Sequence, residues 1–122
     1  MNPGAAEIIQ DAYQNPRNRG ELARPTHSAE GENPMCGDSV HMDLVIRDGH
    51  IFQARFRGRG CAISQASAEL ILERLHHQPV RAIDELDRTS VLEELGLPDI
   101  SPARLRCALL PVEVLKQAIR AE

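Results

Sequence analysis

Val40-His41-Met42-Asp43-Leu44-Val45-Ile46-Arg47-Asp48-Gly49-His50-Ile51-Phe52-Gln53-Ala54-Arg55-Phe56-Arg57 reads as two strands around a turn. Val40, Met42, Leu44 and Ile46 fall on one side of an extended chain, His41, Asp43 and Arg47 on the other, with Val45 the exception. In the second half Phe52, Ala54 and Phe56 share a face opposite Gln53, Arg55 and Arg57. Asp48-Gly49 between the halves is turn chemistry, so the stretch doubles back as a hairpin with one buried face. Two registers compete. A two-residue Asp-Gly turn pairs Arg47 with His50 and sets Phe52 opposite Val45, which mixes the faces. A three-residue loop of Arg47, Asp48 and Gly49 pairs Ile46 with His50, Leu44 with Phe52, Met42 with Ala54 and Val40 with Phe56. The second keeps one face apolar and is the expected register.

Extending that ladder outward sets Cys36 opposite Gly60, next to Cys61. The upstream arm, Asn33-Pro34-Met35-Cys36-Gly37-Asp38, holds a soft thiol and a hard carboxylate two residues apart on a tight loop. Pro34 fixes one φ and Gly37 tolerates conformations closed to other residues, so both side chains can be aimed at one point. Thiolates bind zinc or iron strongly, and a carboxylate is the more easily displaced ligand. Alone, the segment reads better as an ordinary turn around a buried free cysteine, the commoner role of that residue, and the other two cysteines change that balance. The downstream arm, Arg57-Gly58-Arg59-Gly60-Cys61-Ala62-Ile63-Ser64, leads into a helix with Ala68, Ile71, Leu72 and Leu75 on its inner side and Ser64 as the expected N-cap. Cys61 then stands before a helix N-terminus, whose partial positive charge favours a thiolate.

The remaining chain supplies helices. Residues 7–13 carry Ile8, Ile9, Ala12 and Tyr13 at helical spacing, stopped by Asn15-Pro16-Arg17-Asn18-Arg19-Gly20. Residues 21–32 are polar and weakly periodic, an irregular link or an edge strand around residues 22–28. His76-His77-Gln78-Pro79 closes the helix after Cys61, the histidines suiting its negative C-terminal end better than metal ligation. Short helices are expected over residues 80–86 and 90–95, stopped by Gly96 and Pro98. A last helix begins at Ser101-Pro102 and runs toward Ala121. Its expected buried stripe is Leu105, Leu109, Val112, Leu115 and Ile119, with Cys107 off that stripe and a bend at Pro111, which lacks the donor for the Cys107 carbonyl.

With 122 residues the chain is read as a single domain over 1–122. Phe52, Phe56 and Tyr13 are its only aromatics, so burial rests on Leu, Ile, Val and Ala. Fourteen basic and eighteen acidic residues give a net charge of -4 without a Lys/Arg run, which excludes an extended nucleic-acid surface. No apolar run approaches the ~18 residues of a membrane span, so no membrane partner and a cytoplasmic location are expected. Three cysteines are an odd number, pointing to metal binding or thiol chemistry rather than a closed disulfide framework.

Four motifs in order carry a resemblance: Tyr13-Gln14-Asn15-Pro16-Arg17-Asn18, Asn33-Pro34-Met35-Cys36-Gly37-Asp38, residues 58–68 (Gly58-Arg59-Gly60-Cys61-Ala62-Ile63-Ser64-Gln65-Ala66-Ser67-Ala68) and Pro102-Ala103-Arg104-Leu105-Arg106-Cys107-Ala108. The chain resembles the IscU/SufU family of iron–sulfur cluster assembly proteins, the NifU N-terminal-like domain. The resemblance implies an α+β fold, a small antiparallel β-sheet packed against helices, with the site at an exposed tip. It implies Cys36, Asp38, Cys61 and Cys107 as ligands of Zn2+ or of a transient iron–sulfur cluster. It also implies a cysteine desulfurase as sulfur donor, with Cys36, Cys61 and Cys107 as candidate persulfide acceptors, and apo iron–sulfur proteins as recipients. In the IscU branch a histidine precedes the third cysteine and a Leu-Pro-Pro-Val-Lys segment lies upstream. Here Arg106 and Leu97-Pro98-Asp99-Ile100-Ser101-Pro102 stand there, so recognition by an Hsp70-type chaperone is not expected. Ala108 and the Ala-Arg-x-x-Cys pattern look like the SufU branch, without the insertion typical of it.

Three functions follow. The first is a scaffold for iron and sulfide rather than a catalyst turning over a small substrate: three thiolates hold iron firmly and one carboxylate gives a weaker bond through which a cluster leaves. The second is a zinc-dependent sulfurtransferase, favoured by Arg106, since no spare ligand would hold a displaced cysteine's place unless His27 or His41 served. The third, a structural zinc module, is disfavoured by the aspartate.

Overall fold

The computed structural model describes residues 4–120, which fold as three antiparallel strands backed by helices. Helix α1 (Ala5–Gln14) is followed by β1 (His27–Asn33), β2 (Asp38–Arg47), β3 (His50–Arg59), α2 (Ala62–Leu75), α3 (Arg81–Asp84), α4 (Arg88–Leu95) and α5 (Pro102–Arg120). The sheet order is β1-β2-β3. Its inner face, with Val40, Met42, Leu44, Ile51 and Phe56, packs on Ala68, Ile71 and Leu72 of α2 and on Leu110, Val114 and Leu115 of α5. This α+β architecture is the expected one, and no helix among the described residues is long and apolar enough to cross a membrane.

The hairpin forms, in a different register from the one expected. Asp48 and Gly49 both adopt positive φ, 52° and 75°, the two-residue turn whose twist matches the strands, and Arg47 pairs with His50. A bulge at Val45/Ile46 then leaves Phe52 unpaired, so Val45 meets Gln53, Leu44 meets Ala54, Met42 meets Phe56 and Val40 meets Gly58. The bulge, not a longer loop, keeps the inner face apolar: it brings in Ile51 and turns Phe52 outward, where the Arg47 guanidinium lies 4.2 Å from the ring centre. Val45 is buried on the outer face beside Leu22 and Ala23.

The polar stretch before the cysteine loop does contain an edge strand, placed at His27–Asn33 rather than around 22–28. Its exposed residues Ser28, Glu30 and Glu32 alternate with small Ala29 and Gly31, which let α5 pack closely. Segment 22–26 lies alongside: the Leu22 N–H and the Ser28 hydroxyl donate to the Asp43 carboxylate at 3.0 and 2.7 Å. The Asn-Pro-Arg-Asn segment is pinned in the same way. The N–H groups of Arg17 and Asn18 donate to Glu69 of α2 at 3.0 and 2.9 Å, and the Asn18 carbonyl accepts from Phe56 on the outer edge of β3.

Two helical readings need correction. Helix α2 begins three residues earlier than Ser64 as N-cap would place it: extended Cys61 (φ -71°, ψ 161°) is the N-cap, and the Ser64 hydroxyl donates to its carbonyl at 3.1 Å. The buried arc of α5 is rotated from the expected stripe. Cys107, Ala108, Leu110, Val114 and Ala118 are buried with Val112 and Leu115, while Leu105, Leu109 and Ile119 are half-buried. The cause is packing on two sides, against α2 and against the sheet, where a single stripe serves only one neighbour. α5 continues unbroken through buried Pro111, and the Ala108 carbonyl accepts from the Ser67 hydroxyl at 2.6 Å.

Candidate metal centre

Three chain segments deliver the cysteines to one end of the domain. In the β1–β2 connection the N–H groups of Cys36 and Gly37 donate to the Asn33 carbonyl at 3.1 and 2.9 Å, which closes the loop and presents an exposed Cys36. Asp38 opens β2 and is 1% exposed. The β3–α2 junction brings the second cysteine. There Gly60 has φ +134°, and a Cβ on it would lie 1.9 Å from Asp38 Oδ1, so no other residue fits without displacing the carboxylate. The Cys61 N–H donates to Asp38 Oδ1 at 2.8 Å, and the Cys61 sulfur lies 3.6 Å from Oδ2. Asp38 thus occupies the place, beside Gly60 and Cys61, expected for Cys36, because the two-residue turn and the bulge each shift the ladder by one residue.

The second turn of α5 brings the third. Cys107 is 3% exposed, its Sγ 3.2 Å from Cys36 Sγ and 3.7 Å from the Asn33 side-chain amide nitrogen, which donates to it. Cys36, Asp38 and Cys107 hold their ligand atoms within 4.8 Å of one another; Cys61 stands outside this trio and is joined to it through Asp38. An apolar cleft of about 550 Å³ opens beside the cysteines, walled by Ile9 and Tyr13 of α1, Ile63 of α2 and Arg104 of α5.

Burial pushes the Cys107 thiol far above the usual range, and its contacts with Asp38 and Cys36 push it the same way. A cation reverses the balance, since a coordinated thiol gives up its proton. The donor set fits such an ion. Soft sulfur with one hard oxygen suits zinc or iron; the 3.6 Å sulfur–oxygen contact equals the roughly 3.6 Å separation implied by tetrahedral bonds of about 2.3 and 2.1 Å, and the two sulfurs at 3.2 Å would part to about 3.8 Å around an ion.

Neither histidine considered as a spare ligand lines the cleft. His27 Nδ1 is 2.8 Å from the Thr26 hydroxyl, and His41 Nε2 is 2.8 Å from Asp43, on the outer face of the sheet. Arg106 points to solvent. Sequence reasoning missed Asn33, read only as a turn residue although it belongs to the cysteine motif. It also missed Arg104, whose place on the cleft wall depends on how α5 is rotated.

The NifU-like N terminal domain family pattern matches residues 5–121. An iron–sulfur cluster assembly scaffold protein IscU from Thermotoga maritima is 34% identical, the match covering 94% of this chain and 92% of that one. The zinc-dependent sulfurtransferase SufU of Bacillus subtilis is 27% identical over 95% and 89%. Among solved structures, a protein from Fervidobacterium islandicum AW-1, assigned as an iron–sulfur cluster assembly scaffold for the SUF system, superposes with a TM-score of 0.77 at 25% identity, covering 93% of this chain and 94% of that one.

Proposed function

This chain belongs to the NifU-like N-terminal domain family, and on that premise we propose that it is an iron–sulfur cluster assembly scaffold working on Cys36, Asp38, Cys61 and Cys107. The observation that carries the reading is the meeting of three thiols and one buried carboxylate at the mouth of an apolar cleft. Iron and sulfide are the cargo. Sulfur arrives as the persulfide of a cysteine desulfurase: a thiolate of this chain attacks the outer sulfur, a new S–S bond forms, and the desulfurase cysteine leaves as its thiolate. Exposed Cys36 and Cys61 are the acceptors open to a docked partner, and buried Cys107 lies directly behind Cys36. Asp38 provides the weaker oxygen bond through which the finished cluster passes to an apo iron–sulfur protein.

The zinc-dependent sulfurtransferase reading is the second one, supported by the likeness to SufU and by Arg106 standing where a histidine ligand would be. Zinc bound by the four residues would supply a Lewis-acidic centre that keeps the thiols deprotonated. Anaerobic reconstitution with ferrous iron, cysteine and a cysteine desulfurase separates the two. A scaffold develops visible cluster absorbance and passes the cluster to apo-ferredoxin. Saturable stimulation of the desulfurase by zinc-loaded protein, with no cluster formed, would establish the sulfurtransferase instead.

A further inference from the structure

We propose that Asn33 is a positioning residue of the metal centre: its side-chain N–H donates to the sulfur of Cys107 and holds that sulfur toward Cys36 as the firmly bound ligand. This rests on the four-residue site proposed above. Asn33 ends β1, opposite Asp38 in the β1–β2 ladder, and is 9% exposed. Its backbone carbonyl accepts from Cys36 and Gly37 and so shapes the loop that carries the first cysteine. Its side-chain amide reaches across to α5, 3.7 Å from Cys107 Sγ. One residue therefore ties together the two sulfurs that lie 3.2 Å apart, although they are 71 positions apart in the chain.

The two ties separate by substitution. Any residue at position 33 keeps the backbone carbonyl; only a side chain with a donor keeps the bond to sulfur. That bond differs from a packing contact because it draws electron density from the thiolate. Hydrogen bonds to ligand sulfurs tune a metal centre without touching the metal. Exposed Cys36 and Cys61 receive no side-chain amide donor among the described residues, so Asn33 makes the three sulfurs unequal.

The test uses Asn33→Leu, with the same branched skeleton but without a donor, and Asn33→Ala as a companion should the leucine variant not fold. Zn2+ affinity is read by competition with a chromophoric chelator, and Co2+-loaded protein reports its sulfur-to-metal charge-transfer band. Without the donor, affinity falls about 10- to 100-fold, the usual cost of losing an outer partner of a ligand. The charge-transfer band moves to longer wavelength as the sulfur becomes richer in electrons, and the melting temperature of the metal-free protein barely changes. Wild-type affinity and an unmoved band in the leucine variant, or in the alanine variant should leucine not fold, overturn the proposal. An affinity loss in Ala that Leu restores also overturns it, showing that shape alone matters. Failure of the wild-type protein to bind either ion overturns the four-residue site itself.

Discussion

At Asp38 two demands meet in one carboxylate. Oδ1 accepts the N–H of Cys61 and so fixes the entry to α2, while Oδ2 faces the Cys61 sulfur. In the proposed ligand set it would be the hard member among soft sulfurs and the first to yield. Asp38→Ala therefore prolongs the life of a reconstituted cluster, followed as the decay of visible absorbance under anaerobic transfer to apo-ferredoxin. A lifetime no longer than that of the wild type would remove Asp38 from the release step. The Cys36-to-Asp38 spacing is a local property, legible in the sequence. Which residue faces Gly60 was not, because that depends on the turn at the far end of the hairpin and on a bulge at Val45/Ile46, beyond the next several pairs of the ladder.

Among the elements, β2 joins the two others of the sheet and also anchors the chain outside it. Burial works to raise the Asp43 carboxyl, yet bonds from Leu22, Ser28 and His41 together hold it below its ordinary value. A group depressed in the folded state stabilises the fold above its unfolded value, about 4, and loses that contribution as the pH falls through the lower folded value. Asp43→Asn should cost about 1–3 kcal/mol at pH 7, the worth of hydrogen bonds to a charged group. The variant should also lose less stability than the wild type on going from pH 5 to pH 2. Urea unfolding at a series of pH values measures both, and parallel curves for the two proteins would refute the linkage. The alternation that announced β2 and β3 was plain in the sequence. The strand at His27–Asn33 was not, because Ser28, Glu30 and Glu32 look outward and the inner positions are only Ala29 and Gly31, too small to leave a hydrophobic pattern.

On the scale of the whole domain, the centre bridges the β1–β2 loop, the start of α2 and the second turn of α5, so an ion bound there clasps sheet to helices. Binding to the folded state alone adds ~4 kcal/mol when free zinc exceeds its Kd a thousandfold. For a domain of this size that raises the melting temperature by on the order of 10 °C. Scanning calorimetry with zinc and then with chelator reads the shift, and Cys107→Ser should largely abolish it. An equal rise in that variant would place the ion elsewhere.

Residue types and short spacings, namely a cysteine and an aspartate on one turn, a glycine pair before the second cysteine and a helix start before the third, are written along the chain. They sufficed for the hairpin and its flanking helices and pointed to a metal-binding pair in Cys36 and Asp38. The α+β class and the set of four candidate ligands were implied by the resemblance that the four motifs carry. Only the folded structure decided the strand register, the rotation of α5 that buries Cys107, the position of Cys61 outside the tight trio and the bond from Asn33 to sulfur. Each of these is set by contacts between segments distant in sequence, and such contacts choose among local conformations of nearly equal energy that no short stretch can rank by itself.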